Sequence, residues 1–233
     1  MLCTAFGILI QLSIDTTKGD TAWGAYHSMY DTNGWQETVD PDWMLAEDIA
    51  RYTGVLTMKL LDSRVIPLSL DSLANTMTEW YRNNLMDATT EYGCDPNQIL
   101  GVNVTANMME SLEEFARIAA ILWGDIQELT ERIEDGHMDD EDTDLVGYYN
   151  ELLGSISKEF MHAEGLPRRT WHKNILWNTA IEDGPSHVYP HIWYALQYQC
   201  TEEMMREAFN VTQSLIDGAI VTMQMYMGNV TES

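Results

Sequence analysis

Apolar side chains recur every three or four positions along much of this chain. The clearest series is Met108, Leu112, Phe115, Ala119, Leu122, Ile126, Leu129 and Ile133, in alternating steps of four and three. It predicts one long amphipathic helix, placed in a bundle core because other helical patterns stand close by in sequence. Leu70, Leu73, Met77, Trp80 and Leu85 predict a helix from about Asp71, with a break at Cys94-Asp95-Pro96-Asn97. Leu145, Tyr149, Leu152, Ile156 and Phe160 predict another, stopped near Gly165-Leu166-Pro167. A last helix from Thr201-Glu202-Glu203-Met204 carries Ala208, Val211, Leu215, Ala219 and Met223 on one side, behind a capping threonine and acids. Nearer the start, Asp40-Pro41-Asp42 opens a helix toward Asp62, with Trp43, Ala46, Ile49, Thr53, Leu56 and Leu60 on its expected buried face. The expectation is four or five bundle helices with no internal repeat.

Three segments depart from this period. Residues 7–14 form an apolar run rich in branched side chains, followed by turn chemistry at 15–20, and read as a buried strand. Few strand candidates follow to pair with it, so it reads as the end of a truncated sheet domain. The acidic segment Glu134 to Asp144 is expected to be an exposed loop; it lacks the sixth-position glycine and closing glutamate of an EF-hand, so a calcium loop is rejected. From Pro167 to about Cys200 the chain is expected to be loop-rich, with turns at Asp183-Gly184-Pro185 and Tyr189-Pro190. The aromatics Trp171, Trp177, Tyr189, Trp193, Tyr194 and Tyr198 of this stretch are expected to cover a surface elsewhere.

Composition narrows the classes. The chain has 233 residues, 45% of them hydrophobic, which supports a packed core over disorder. Its 37 acidic against 12 basic side chains give a formal charge of -25, which repels polyanions; nucleic acid is not an expected partner. No run of about 18 apolar residues predicts a membrane span, and residues 1–13 are apolar without the basic start of a signal peptide. Cys3, Cys94 and Cys200 form neither a disulfide framework nor a zinc knuckle, and leave one Cys94–Cys200 bridge open. The fifteen methionines read as adaptable core packing. Asn103-Val104-Thr105, Asn210-Val211-Thr212 and Asn229-Val230-Thr231 are N-glycosylation sequons, which makes Asn103, Asn210 and Asn229 glycosylation candidates.

Two separated stretches carry a family resemblance. Tyr26-His27-Ser28-Met29-Tyr30-Asp31-Thr32, followed by Asp40-Pro41, and Glu164-Gly165-Leu166-Pro167, continuing through Tyr189-Pro190-His191-Ile192-Trp193-Tyr194-Ala195-Leu196, resemble the glutamate carboxypeptidase and transferrin receptor superfamily. The resemblance covers nearly the whole chain. It implies a mainly α protein: residues 1–67 as the C-terminal remnant of an α/β zinc-peptidase-like domain, and 68–233 as a helical, transferrin receptor-like dimerisation domain. The implied function is homodimer formation, with the bundle covering the peptidase-like domain of the same protein. The alternative is a part of an active di-zinc carboxypeptidase or aminopeptidase whose other metal ligands lie upstream.

By that resemblance His27 stands where a zinc ligand would be, and Tyr26 where a side chain polarises the substrate carbonyl. A di-zinc centre needs several ligands holding two ions to activate water, so one histidine cannot assemble it. Zinc is expected only in a longer native protein, and no cofactor for this chain alone. Glu182-Asp183-Gly184-Pro185 stands where glutamate-specific relatives present a lysine and a tyrosine, and would repel an acidic substrate. Residues 13–17 likewise lack arginines for acidic peptides. His187 and His191 are four apart, but Pro190 between them spoils the helical geometry of a metal pair. The expected setting is the secretory pathway, extracellular or in a vacuolar or endosomal lumen, with any membrane anchor upstream.

Overall fold

The computed structural model describes residues 3–6, 9–12, 28–179, 186–198 and 200–230. The chain divides into two compact units, Met1–Pro67 and Leu68–Ser233.

In the first unit the apolar start is a hairpin, not a lone strand. β1 (Cys3–Phe6) pairs antiparallel with β2 (Leu9–Leu12), with Cys3 opposite Leu12 and Phe6 opposite Leu9. The partner strand lies before the apolar run, where the sequence pattern shows no separate strand. α1 (Asn33–Val39), which the apolar pattern did not announce, starts at a Thr32 cap. α2 (Met44–Asp62) starts where the Asp40 carboxylate accepts from the amides of Leu45 and Ala46, at 3.1 and 2.9 Å. None of the α2 side chains is buried. Of the expected buried face, Ala46, Ile49, Leu56 and Leu60 are half-buried, while Trp43 and Thr53 are exposed.

The second unit is a helical bundle. α3 (Leu70–Trp80) runs through a π-helical turn, Tyr81–Leu85, into α4 (Met86–Tyr92), and Gly93 ends the run in a left-handed conformation. α5 (Pro96–Leu100) has an Asp95 cap and proline in its first turn. α6 (Val104–Glu134) packs against both α3 and α9 (Glu202–Val230). Met108, Leu112, Phe115, Ala119, Leu122, Ile126 and Leu129 are buried as their spacing predicts, joined by Ser111 and Ile118.

The acidic segment is only partly a loop. Asp139 caps α7 (Asp140–Ser155) and exchanges a reciprocal capping box with Asp142, whose buried carboxylate receives the Arg132 guanidinium at 2.7 Å. The acids sit at the positive end of the helix dipole, which is why they form a helix start. α7 passes into a 3-10 turn, Ile156–Lys158, so regular helix stops short of Gly165.

The stretch to Cys200 also holds more structure than its turn signals suggest. β3 (Trp177–Thr179) pairs antiparallel with β4 (Ser186–Val188), and α8 (Pro190–Tyr198) follows. α8 buries Ile192, Tyr194, Ala195 and Leu196, so almost no polar face marks its period. The second unit therefore has seven helices among the described residues, against the expected four or five. Its α9 stripe is also rotated: Ala208, Ala219 and Met223 are buried, but Phe209, Thr212 and Ile216 take the place of half-buried Val211 and Leu215. A Cys94–Cys200 disulfide joins the end of α4 to the α8–α9 connection, with 6.0 Å between the Cα atoms.

Candidate functional site

The two stretches that carry the second part of the resemblance meet at one carbonyl. Gly165 has φ +72°, and a side chain there would collide with the Thr170 backbone. The glycine allows the chain to fold back, with Leu166 N–H donating to the His172 carbonyl at 2.8 Å and His162 N–H to the Lys173 carbonyl at 2.8 Å. The Gly165 carbonyl then accepts from His162 Nδ1 at 3.2 Å and from His191 Nε2, on α8, at 3.1 Å. A carbonyl can only accept, so both ring nitrogens carry the proton. The two rings meet edge to face with centroids 5.4 Å apart. His191 Nδ1 is buried without a hydrogen-bond partner. Burial pushes the His191 pKa down to about 4, against the upward pull of its bond to the Gly165 carbonyl and with a smaller downward contribution from His162.

Tyr189, one residue before α8, adopts φ +51° and is held there by its environment. Its hydroxyl donates to the Met77 carbonyl of α3 at 2.7 Å, and its ring stands edge-on to Tyr81 at 5.7 Å. Tyr81 donates in turn to the Thr105 carbonyl at the start of α6. Burial raises the pKa of both phenols, so they act as neutral donors. These bonds dock the hairpin and α8 onto α3 and α6. The two histidines and tyrosines are framework.

Tyr26 and His27, as well as residues 13–17 and 182–185, lie outside the described residues, so the expected zinc position and specificity loops have no counterpart in the geometry. Among the described residues no group of three or more His, Cys, Asp or Glu side chains could hold a metal ion, and no helix is long and apolar enough to cross a membrane. Of the sequons, Asn103 is exposed at the α6 cap and Asn210 is exposed within α9; Asn229 lies in the last turn of α9.

The other feature is a surface. An open groove of about 720 Å³ runs between α6 and α9, lined among others by Asn107, Glu110, Arg117, Asp217 and Val221. At its floor Gln213 Nε2 donates to Ser111 Oγ at 3.1 Å. Arg117 on its α6 wall is held by Glu114 at 2.7 Å. Along the same two helices Ile121, Val221 and Met225 are 40%, 49% and 63% exposed, large apolar side chains on helices whose opposite faces form the core. Periodicity shows which residues of α6 and α9 go inward. It does not show that the remaining apolar positions share one outer face, because that depends on how the helices pack.

The bundle and its docked hairpin define a mainly helical domain with an open groove between α6 and α9. Residues 104–224, just over half of the chain, match the transferrin receptor-like dimerisation domain, and the chain belongs to that family. None of the curated proteins gives a significant match.

Proposed function

We propose that this chain forms a homodimer through the outer face of α6 and α9. The observation that carries the reading is that Ile121, Val221 and Met225 are exposed on α6 and α9, the helices that form a charged groove lined by Val221, and that the family match covers α6 and α9 as far as residue 224. A two-fold interface is self-complementary, so Arg117 of one protomer can face Asp217 or Glu110 of its mate while the apolar side chains pack at the centre. Burial of those side chains supplies the favourable term, and the -25 charge of each copy opposes it.

The test is the molar mass of the full chain by light scattering over a concentration series, beside a Val221→Asp/Met225→Asp variant. A wild-type dimer and a monomeric variant of unchanged helicity are the expected result, with association tightening as salt screens the mutual repulsion. A wild-type chain that stays monomeric at every concentration and salt level sinks the proposal.

A second reading rests on α2. Met44, Leu45, Tyr52, Val55, Met58 and Leu61 are all exposed on it, which is more apolar surface than a finished domain normally leaves bare. This supports residues 1–67 as part of a larger domain; that this domain is peptidase-like, with His27 as a zinc ligand, rests on the sequence resemblance. The Cys94–Cys200 disulfide supports an oxidising compartment, in keeping with a secretory setting.

A further inference from the structure

Asn103 stands where the chain leaves the α5–α6 turn. Its backbone, at φ -81° and ψ +68°, with Val104 N–H donating to the Val102 carbonyl at 2.9 Å, is an inverse γ-turn. Asn103 Oδ1 accepts from Ala106 N–H at 3.2 Å, capping α6, and from the Thr105 hydroxyl at 3.1 Å. Thr105 is fixed further by Asn97, whose Nδ2 donates to Thr105 Oγ1 at 2.7 Å and whose Oδ1 accepts from Thr105 N–H at 3.1 Å. The sequon's amide is therefore held on the exposed, non-helical cap residue, beside a hydroxyl on the half-buried Thr105 in the first turn of α6. All the capping uses Oδ1; Nδ2 is left to solvent.

We propose that Asn103 is an N-glycosylation site that the folded protein can still present and can carry without loss of its helix cap. The co-reactant is a polyprenyl-diphosphate-linked oligosaccharide, delivered by the transferase of a secretory lumen. Asn103 Nδ2 bonds to the sugar's anomeric carbon as the bond from that carbon to the diphosphate oxygen breaks. The lipid diphosphate leaves with the electron pair, and the Nδ2 proton passes to a base of the transferase. The product is still an amide, so Oδ1 continues to accept from Ala106 N–H.

Asn210 supplies the contrast. It is exposed, but it lies inside α9, and the hydroxyl of its sequon partner Thr212 is fully buried with no hydrogen-bond partner. A transferase that must engage both groups cannot do so on the folded helix. Asn103 needs far less: its amide is already on an exposed cap, and the half-buried Thr105 hydroxyl has only to leave its bonds to Asn103 and Asn97 in the first turn of α6. Its glycan would project from the head of α6, one turn before Asn107 of the groove, leaving Ile121, Val221 and Met225 free.

The proposal rests on the secretory-compartment reading, and the experiment separates the two. The full chain, fused to a cleavable secretion signal, is expressed in a eukaryotic host and collected from the medium. Treatment with peptide N-glycosidase F in oxygen-18 water then marks each occupied asparagine for peptide mass spectrometry. The expected result is a marked Asn103 peptide in most molecules, retained in Thr105→Ser and lost in Thr105→Ala. A secreted chain with the Cys94–Cys200 bridge formed and Asn103 unmarked overturns the proposal, as does a label confined to Asn210 or Asn229. The compartment reading fails on a different measurement, free Cys94 and Cys200 thiols in the protein taken from its native cell.

Discussion

At Gly165 a hydrogen in place of a side chain lets the backbone turn against Thr170, and the carbonyl so exposed becomes the acceptor for two histidines. Neutral His191 fits this arrangement, whereas its protonated form would carry a second, unmatched N–H in a buried site. The folded-state pKa, about 4, lies below the unfolded value of 6.5, so the unfolded chain binds more protons between them. The stability from a neutral His191 is thus fully present above pH 6.5 and is lost as pH falls toward 4, by at most about 3 kcal/mol. Thermal midpoints of wild type and His191→Gln from pH 4 to 8 check this: the difference should shrink or reverse on the acid side, and parallel profiles would refute it. Gly165-Leu166-Pro167 is legible from glycine and proline as a helix stop, although regular helix already ends at Ser155 and the glycine serves a chain reversal. That its carbonyl holds a histidine 26 positions away is not, because no local period links the two.

Among the elements, α6 is the most legible, since its buried positions keep one spacing from Met108 to Leu129. Phe115 lies at the centre of that stripe, fully buried and edge-on to Phe160 at 5.9 Å. Phe115→Ala should cost roughly 3–5 kcal/mol of stability by leaving a cavity, while Ile121→Ala, on the outer face, should change monomer stability by only about 0.5 kcal/mol. Urea unfolding of both variants at monomeric concentrations reads the contrast, and equal losses would show that α6 packs in another rotation. α9 was harder to place, because Val211 and Leu215 are as apolar as Phe209 and Ile216. Which set goes inward depends on the position of α6 and α8. The short α5 and α8, and the helix start inside the acidic run, escaped a reading by period: a brief or nearly all-buried helix displays no polar face, and a dipole-stabilised first turn is made of the same acids as a solvated loop.

For the whole molecule, the disulfide is the longest covalent constraint. It closes a sequence separation of 106 residues, from the end of α4 to the entrance of α9, and Tyr92 stands edge-on to Trp193 beside it at 5.9 Å. A loop of that size makes the unfolded chain substantially less free when cross-linked. The Cys94→Ser/Cys200→Ser variant should therefore melt lower by on the order of 10 °C. Calorimetry under non-reducing conditions checks it, and an unchanged midpoint would mean that the bridge does not form in solution. Three cysteines without a motif allowed this pair but did not select it; only the approach of α4 to the α8–α9 connection brings the sulfurs together. From the amino acids alone come the mainly helical character, the core stripe of α6 and the acidic surface, because each is set by neighbours within a few residues or by composition. The bridge, the meeting of Gly165 with His191, the rotation of α9 and the groove between α6 and α9 join residues far apart in sequence. They are settled only when packing decides which apolar faces are covered and which are left bare.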